Sequence, residues 1–133
     1  MSLPTVPTVT ALYGSLNAVV NIALAMRVSR IRRRDKVSLG TGESKDLLVA
    51  VRTHGNSAEF VPLAIVTLLL CELCGGSSVT LHALGGSLLV ARLLHIYGMP
   101  RRAPNFYRVS ANAVTWGAIV ATAAYTLLLR TRL

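Results

Sequence analysis

Long apolar blocks, rather than an alternation of apolar and polar positions, dominate this chain. Three blocks contain no charged side chain and a fourth contains three; they are residues 1–26, 73–91, 109–129 and 47–73, respectively. Since about 20 helical residues cross a hydrocarbon core of about 30 Å, each block is long enough to span a membrane. Backbone that faces lipid must satisfy its hydrogen bonds internally, so the blocks predict helices.

The pattern predicts an all-α membrane protein with one domain, residues 1–133, built as an antiparallel bundle of four transmembrane helices. The predicted spans are residues 8–29, 46–74, 77–99 and 106–130. Short connections force neighbouring spans to be antiparallel. The one sizeable connection, residues 30–45, holds a basic run and a Gly/Ser-rich stretch, and it is predicted to be a loop.

Composition excludes an ordinary water-soluble domain. Apolar residues make up 53% of the chain and charged residues 14%, and the mean hydropathy is +0.56. Soluble domains are roughly a quarter charged. The first apolar block does not read as a cleavable signal peptide, because its positive charges follow the apolar run instead of preceding it.

The net charge of +9 is concentrated in and beside two connections between spans. These basic residues are Arg27, Arg30, Arg32, Arg33, Arg34 and Lys36 in the first group and Arg101, Arg102 and Arg108 in the second. The positive-inside bias places both groups in the cytoplasm, and therefore both chain termini on the opposite side. The clusters are interpreted as topology determinants first and lipid-phosphate contacts second, and not as a nucleic-acid site.

Charged and polar residues also occur inside the predicted second span. Arg52, Asn56 and Glu59 stand at positions i, i+4 and i+7, so one helical face carries a cation, an amide and a carboxylate. At about 1.5 Å per residue, Arg52 lies about 9 Å and Glu59 about 20 Å beyond the start of the span. Charges at such depths are costly and mark functional sites in membrane proteins.

Two further spans contribute cations to the same leaflet. Arg92 and His95 share a face of the third span, and Arg108 lies one turn inside the fourth. With Arg52, three guanidiniums then oppose the single carboxylate of Glu59. The resulting charge of about +2 favours a cytoplasm-facing cavity for a small zwitterionic ligand with excess acid. An internal ion-pair network that locks the bundle is the structural alternative, above all for Arg52 with Glu59.

Three sequence patterns resemble the MAPEG family, the membrane-associated proteins in eicosanoid and glutathione metabolism. They are most similar to the patterns of bacterial members. The patterns are R-x-x-x-N-x-x-E at 52–59, H-G-N-x-x-E-F-x-P at 54–62 and R-x-x-H-x-Y-G at 92–98, followed by Arg108. The resemblance extends from the basic run to about Trp116. It implies a four-helix protomer, a homotrimer in a bacterial inner membrane, and glutathione as co-substrate between adjacent subunits.

The resemblance also implies a role for each site residue. Arg108 matches the arginine that faces the glutathione sulfur, and Arg30 matches one that reaches glutathione from the neighbouring subunit. The implied activity is transfer of the glutathione thiolate to lipophilic electrophiles dissolved in the membrane, with peroxidase activity toward hydroperoxides as a further option. The implied glutathione-binding residues are Arg30, Arg52, Asn56, Glu59, Arg92 and His95.

Two other functions are compatible with four short spans. A membrane carboxylate could drive proton-coupled export of lipophilic cations, although three guanidiniums would repel such cargo. A catalytically silent glutathione-binding protein would carry the same binding residues without turnover.

Two groups of residues have a structural interpretation when the sequence is considered without the resemblance. Cys71 and Cys74 form a lone C-x-x-C without a second pair or a thioredoxin-like context, and small-residue packing is the favoured interpretation. His54 and His95 have no third ligand at suitable spacing, so no metal site is predicted.

Overall fold

The computed structural model describes residues 6–131 and consists there of four α-helices with no strand. They are α1 (Thr8–Asp35), α2 (Lys45–Leu73), α3 (Ser78–Gly98) and α4 (Phe106–Arg130). All four are long and apolar enough to cross a membrane. The predicted all-α architecture of four membrane-spanning helices is confirmed; the two chain termini, whose side of the membrane was predicted, lie outside the described residues.

Helix α1 extends six residues beyond its predicted end, so the prediction that the whole basic run lies in a loop is wrong. Arginine is a good helix former, and cations in the last helical turn interact favourably with the helix dipole. The helix ends at Asp35, and the next residue, Lys36, caps it in a left-handed conformation with a φ of 54°. The Arg32 guanidinium then donates to three carbonyls of the following loop, including that of Gly40 at 2.8 Å.

The other helix boundaries lie within one residue of prediction, and side chains cap the starts of three helices. Ser44, Ser77 and Asn105 each accept a hydrogen bond from the backbone N–H three residues later. Such N-caps satisfy donors that have no partner within the helix. The two serines fix the starts of α2 and α3, and Asn105 fixes the start of α4.

Helices α2 and α3 form the centre of the bundle. Helices α1 and α4 each pack against both of them, and across the described residues α1 and α4 do not contact one another. Helix α1 approaches α3 closely because Gly85 has no side chain and the ring of Tyr13 covers it. The bundle therefore has α1 and α4 at opposite corners, an arrangement that separates residues which the resemblance assigns to one ligand.

A buried carboxylate caps the start of α1. Pro7, which precedes the helix, provides no side-chain cap. Instead, Glu72 of α2 accepts hydrogen bonds from the backbone N–H groups of Val9 at 2.9 Å and Thr10 at 2.7 Å, and its side chain is only 7% exposed. A carboxylate at the positive end of a helix dipole is stabilising. Glu72 thus joins α1 to α2 at the end of the bundle opposite the basic clusters.

Replacing Glu72 is expected to destabilise the protein. In Glu72→Gln one amide oxygen remains to accept a hydrogen bond, but the charge that strengthens both bonds is lost, at a cost of about 1.5 kcal/mol. Thermal unfolding in detergent should show a lower Tm for this variant. Glu43→Gln, which alters an exposed carboxylate in the α1–α2 connection, is the matched control; equal Tm values for the two variants would contradict a capping role.

Candidate functional site

A buried guanidinium with neutral partners lies at the centre of the candidate site. Arg92 of α3 is 2% exposed, and its Nη1 donates to Asn56 Oδ1 of α2 at 2.7 Å. Its Nη2 donates to the hydroxyl of Thr115 of α4, and its Nε has no hydrogen-bond partner among the described residues. Amide and hydroxyl oxygens solvate the cation but do not neutralise it. The charge of Arg92 therefore remains uncompensated inside the bundle.

Ion pairs do not lock the site. Among the described residues, both ion pairs belong to Arg34, which contacts Asp35 at 2.6 Å and Asp46 at 3.1 Å in the basic connection. Arg52 and Glu59 are exposed on the surface of α2 and do not pair with each other. The alternative of an Arg52–Glu59 ion pair thus does not occur in the protomer.

Helices α2 and α4 run in the same direction, and an aromatic contact fixes their register. The rings of Phe60 and Trp116 lie 6.2 Å apart between centroids. Arg52 precedes Phe60 by eight residues, and Arg108 precedes Trp116 by the same number. Eight residues correspond to about 12 Å of helix, and the face turns by only about 80°. The two arginines consequently lie at about the same depth along the bundle.

The start of α4 holds Arg108 against α3. Its backbone N–H donates to Asn105 Oδ1 at 3.0 Å, while Asn105 Nδ2 donates to the carbonyl of Gly98 at 3.1 Å. A Cβ on Gly98 would come within 3.0 Å of both the Arg108 backbone nitrogen and its Cγ. The close approach of Gly98 and the cap formed by Asn105 together fix the backbone position of the half-buried Arg108.

Arg108 lines an open hollow of about 340 Å³ at the start of α4. Asn112, one turn further along, lines the same hollow, and its Oδ1 is buried without a hydrogen-bond partner among the described residues. Asn112 also lies four residues before Trp116, just as Asn56 lies four residues before Phe60. The hollow is therefore lined by a cation and by an asparagine whose buried amide oxygen has no hydrogen-bond partner among the described residues.

The predicted site residues divide into those that the fold brings together and those that it separates. Asn56 and Arg92 are in contact, and His95, 4% exposed, lies one turn from Arg92 on the same face of α3. Arg30 is exposed on α1, at the corner opposite α4 and Arg108. Within one protomer, Arg30 and Arg108 cannot serve the same small ligand.

Sequence reasoning missed three polar residues of this region, Asn105, Asn112 and Thr115. A signal for Asn112 exists, since residues 52–60 and 108–116 share the pattern Arg-x-x-x-Asn-x-x-x-aromatic. Asn105 could have been found as a capping residue before an apolar run. Thr115 carries no sequence signal, because a threonine in an apolar helix ordinarily bonds its own backbone, as this one also does to the Ala111 carbonyl at 2.7 Å.

Comparison with known proteins identifies the family of this chain. A profile of the MAPEG family matches residues 10–128, which reach into all four helices. Inner membrane protein YecN of Escherichia coli (strain K12) is 37% identical over 112 residues, covering 84% of this chain and 85% of the relative. The protein of the same name from Escherichia coli O6:H1 (strain CFT073) shows the same identity and coverage. With its four apolar helices and this match, the chain is a multi-pass membrane protein that belongs to the MAPEG family.

Proposed function

We propose that this protein is a membrane-embedded glutathione transferase that stabilises the glutathione thiolate and adds it to lipophilic electrophiles, with reduction of hydrophobic hydroperoxides as a second reaction. The observation that carries the proposal is the buried Arg92, whose hydrogen-bond partners within residues 6–131 are the neutral Asn56 and Thr115. An uncompensated cation in a low-dielectric interior favours an anionic ligand over a neutral or cationic one. The same charge disfavours export of lipophilic cations.

Glutathione complements the charge of this site. With two carboxylates and one ammonium it carries a net charge of about −1, and about −2 as the thiolate. The exposed Arg52 would bind a carboxylate in the two-pronged geometry that guanidinium favours, and Glu59 would receive the ammonium group. The buried Arg92 would act through its positive charge and through Asn56, to which it donates. Asn56, which offers both a donor and an acceptor, would orient the peptide backbone.

A complete site would need a second protomer. Arg52 and Glu59 are exposed on α2, and Arg30 is exposed on α1, at the corner of the bundle opposite α4 and Arg108. A homotrimer would bring Arg30 of one subunit beside Arg52 of the next, so that each glutathione contacts two chains. This arrangement would also cover part of the apolar surface that each protomer exposes.

Arg108 would act on the sulfur. Its guanidinium favours the thiolate over the thiol, which lowers the pKa of the bound thiol, and the released proton passes to water at the basic end of the bundle. The electrophile would approach from lipid along the groove that Phe60 and Trp116 line. A sulfur electron pair then forms the carbon–sulfur bond, while the electrophile's leaving group departs or its conjugated electrons accept a proton.

We place the protein in an inner membrane, as its relatives are named, with the basic connections in the cytoplasm. Both basic connections lie at one end of the bundle, because α1 and α3 end there and α2 and α4 begin there. In this orientation the Arg108 hollow opens toward the cytoplasm, from which glutathione would enter the site. It also places both termini on the outer side.

The proposal is tested by titrating detergent-solubilised protein with glutathione and following thermal unfolding. Ligand-specific stabilisation depends on affinity, so a rise in Tm with glutathione is expected for the wild type. Arg52→Ala and Glu59→Ala should each weaken glutathione binding by about tenfold, as expected for one charge-assisted contact.

Arg102→Ala is the matched control, because Arg102 is an exposed cation of the same basic end and outside the proposed site. Its titration should match the wild type. If glutathione does not stabilise the wild type, or if all three variants respond alike, the binding site is wrong. Normal binding with no conjugation over a broad panel of electrophiles would instead identify a catalytically silent glutathione-binding protein.

A further inference from the structure

The end of α1 projects beyond the membrane core. Its 28 residues give a length of about 42 Å, against a hydrocarbon thickness of about 30 Å. The remaining length of about 12 Å is enough to carry the last two turns through the layer of lipid headgroups. Since the basic run forms these turns, its cations are held by a rigid helix at the depth of lipid phosphates.

Two of these cations are already occupied by the protein. Arg32 donates to the carbonyls of Val37, Ser38 and Gly40, which ties the loop back onto the helix. Arg34 pairs with Asp35 and Asp46. These two side chains therefore stabilise the connection between α1 and α2 and are not free to hold a ligand.

Two other cations of the basic run face the outside of the protomer. Arg33 and Lys36 are exposed, and together with Val37 and Ser38 they line a hollow of about 280 Å³ beside the Arg32 stem. Lys36 reaches this position because its left-handed conformation turns the chain at the helix end. The carboxylate of Asp35, the acidic residue between them in sequence, is engaged by Arg34 and by the hydroxyl of Ser44. Two uncompensated cations and a hydroxyl thus surround one small hollow.

We propose that this hollow binds the phosphodiester headgroup of an anionic phospholipid. Arg33 and Lys36 supply the two positive charges, and the Ser38 hydroxyl supplies a neutral donor to a phosphate oxygen. The depth of the hollow favours a lipid over a soluble phosphate, because a lipid presents its phosphate in this layer with its chains already in the core. The site lies on the α1–α2 connection, apart from the hollow beside Arg108, and does not depend on glutathione.

The test measures binding of phosphatidylglycerol to the full-length protein in neutral detergent, by native mass spectrometry and by thermal unfolding. The wild type should retain phosphatidylglycerol in preference to phosphatidylcholine and gain Tm as it is added. Juxtamembrane cations contribute about fivefold each to binding of acidic lipid, so the double variant Arg33→Gln/Lys36→Gln should bind about 30-fold more weakly. Inorganic phosphate at the same concentration should produce no comparable rise in Tm.

A second double variant, Arg102→Gln/Lys45→Gln, removes one arginine and one lysine from the same end of the bundle and leaves the hollow intact. It should bind phosphatidylglycerol like the wild type. Equal losses in the two double variants would show that only the overall charge matters and would overturn the site. Equal retention of phosphatidylcholine, or equal stabilisation by inorganic phosphate, would overturn the assignment to an anionic lipid headgroup.

Discussion

Arg108→Ala is expected to lower the rate of glutathione conjugation by about 100-fold, the effect of removing one preorganised donor from a developing or bound anion. Asn105 and Gly98 position the start of the Arg108 side chain, and the hollow it lines opens at the start of α4. The ultraviolet absorbance of bound thiolate near neutral pH should disappear in the same variant, because the thiol pKa is no longer lowered.

Two controls distinguish a role of Arg108 at the sulfur from a general loss of charge or of folded protein. Arg102→Ala removes an equal charge from the preceding connection and should keep both the rate and the thiolate absorbance. The affinity of Arg108→Ala for glutathione with a neutral thiol should change much less than its rate, since the carboxylate and ammonium contacts remain. If Arg108→Ala retains the thiolate absorbance, Arg108 does not face the sulfur.

The number, order and direction of the helices followed from the sequence because lipid leaves few alternatives. Four apolar blocks must form four helices, because the backbone has to satisfy its hydrogen bonds internally in lipid. Short connections then make neighbouring helices antiparallel. The end of α1 did not follow, because a run of arginines was interpreted as a loop on account of its charge. Helix propensity and the helix dipole favour a longer helix, which ends where Lys36 adopts a left-handed conformation.

Contacts between distant helices were predictable only in part. The spacing of Arg52, Asn56 and Glu59 predicts that they share a face of α2, but periodicity does not say whether that face meets another helix or the outside of the protomer. The partnership of Glu72 with the start of α1 joins residues 63 positions apart and has no local signature. Such contacts depend on the depth at which two helices cross, which sequence patterns do not specify.

Arg92→Met is expected to abolish measurable glutathione binding without destabilising the unliganded protein. Methionine fills the space of the arginine stem and removes a buried charge whose protein partners are neutral, so no orphaned counter-ion remains. Thr115 keeps its bond to the Ala111 carbonyl, and Asn56 is only half-buried. Loss of a desolvated charge contact should weaken glutathione binding by about 100-fold or more.

The two measurements distinguish a ligand site from a structural lock. If Arg92 exists to hold α2, α3 and α4 together through Asn56 and Thr115, Arg92→Met should lower the Tm of the unliganded protein by several degrees and leave the glutathione response of the folded fraction intact. Arg92→Lys, which keeps the charge but loses the two-pronged geometry, should bind glutathione with an affinity between those of the wild type and Arg92→Met. A lower Tm together with an unchanged glutathione affinity would therefore refute the claim on which the proposed function rests, that this buried cation is balanced by a ligand.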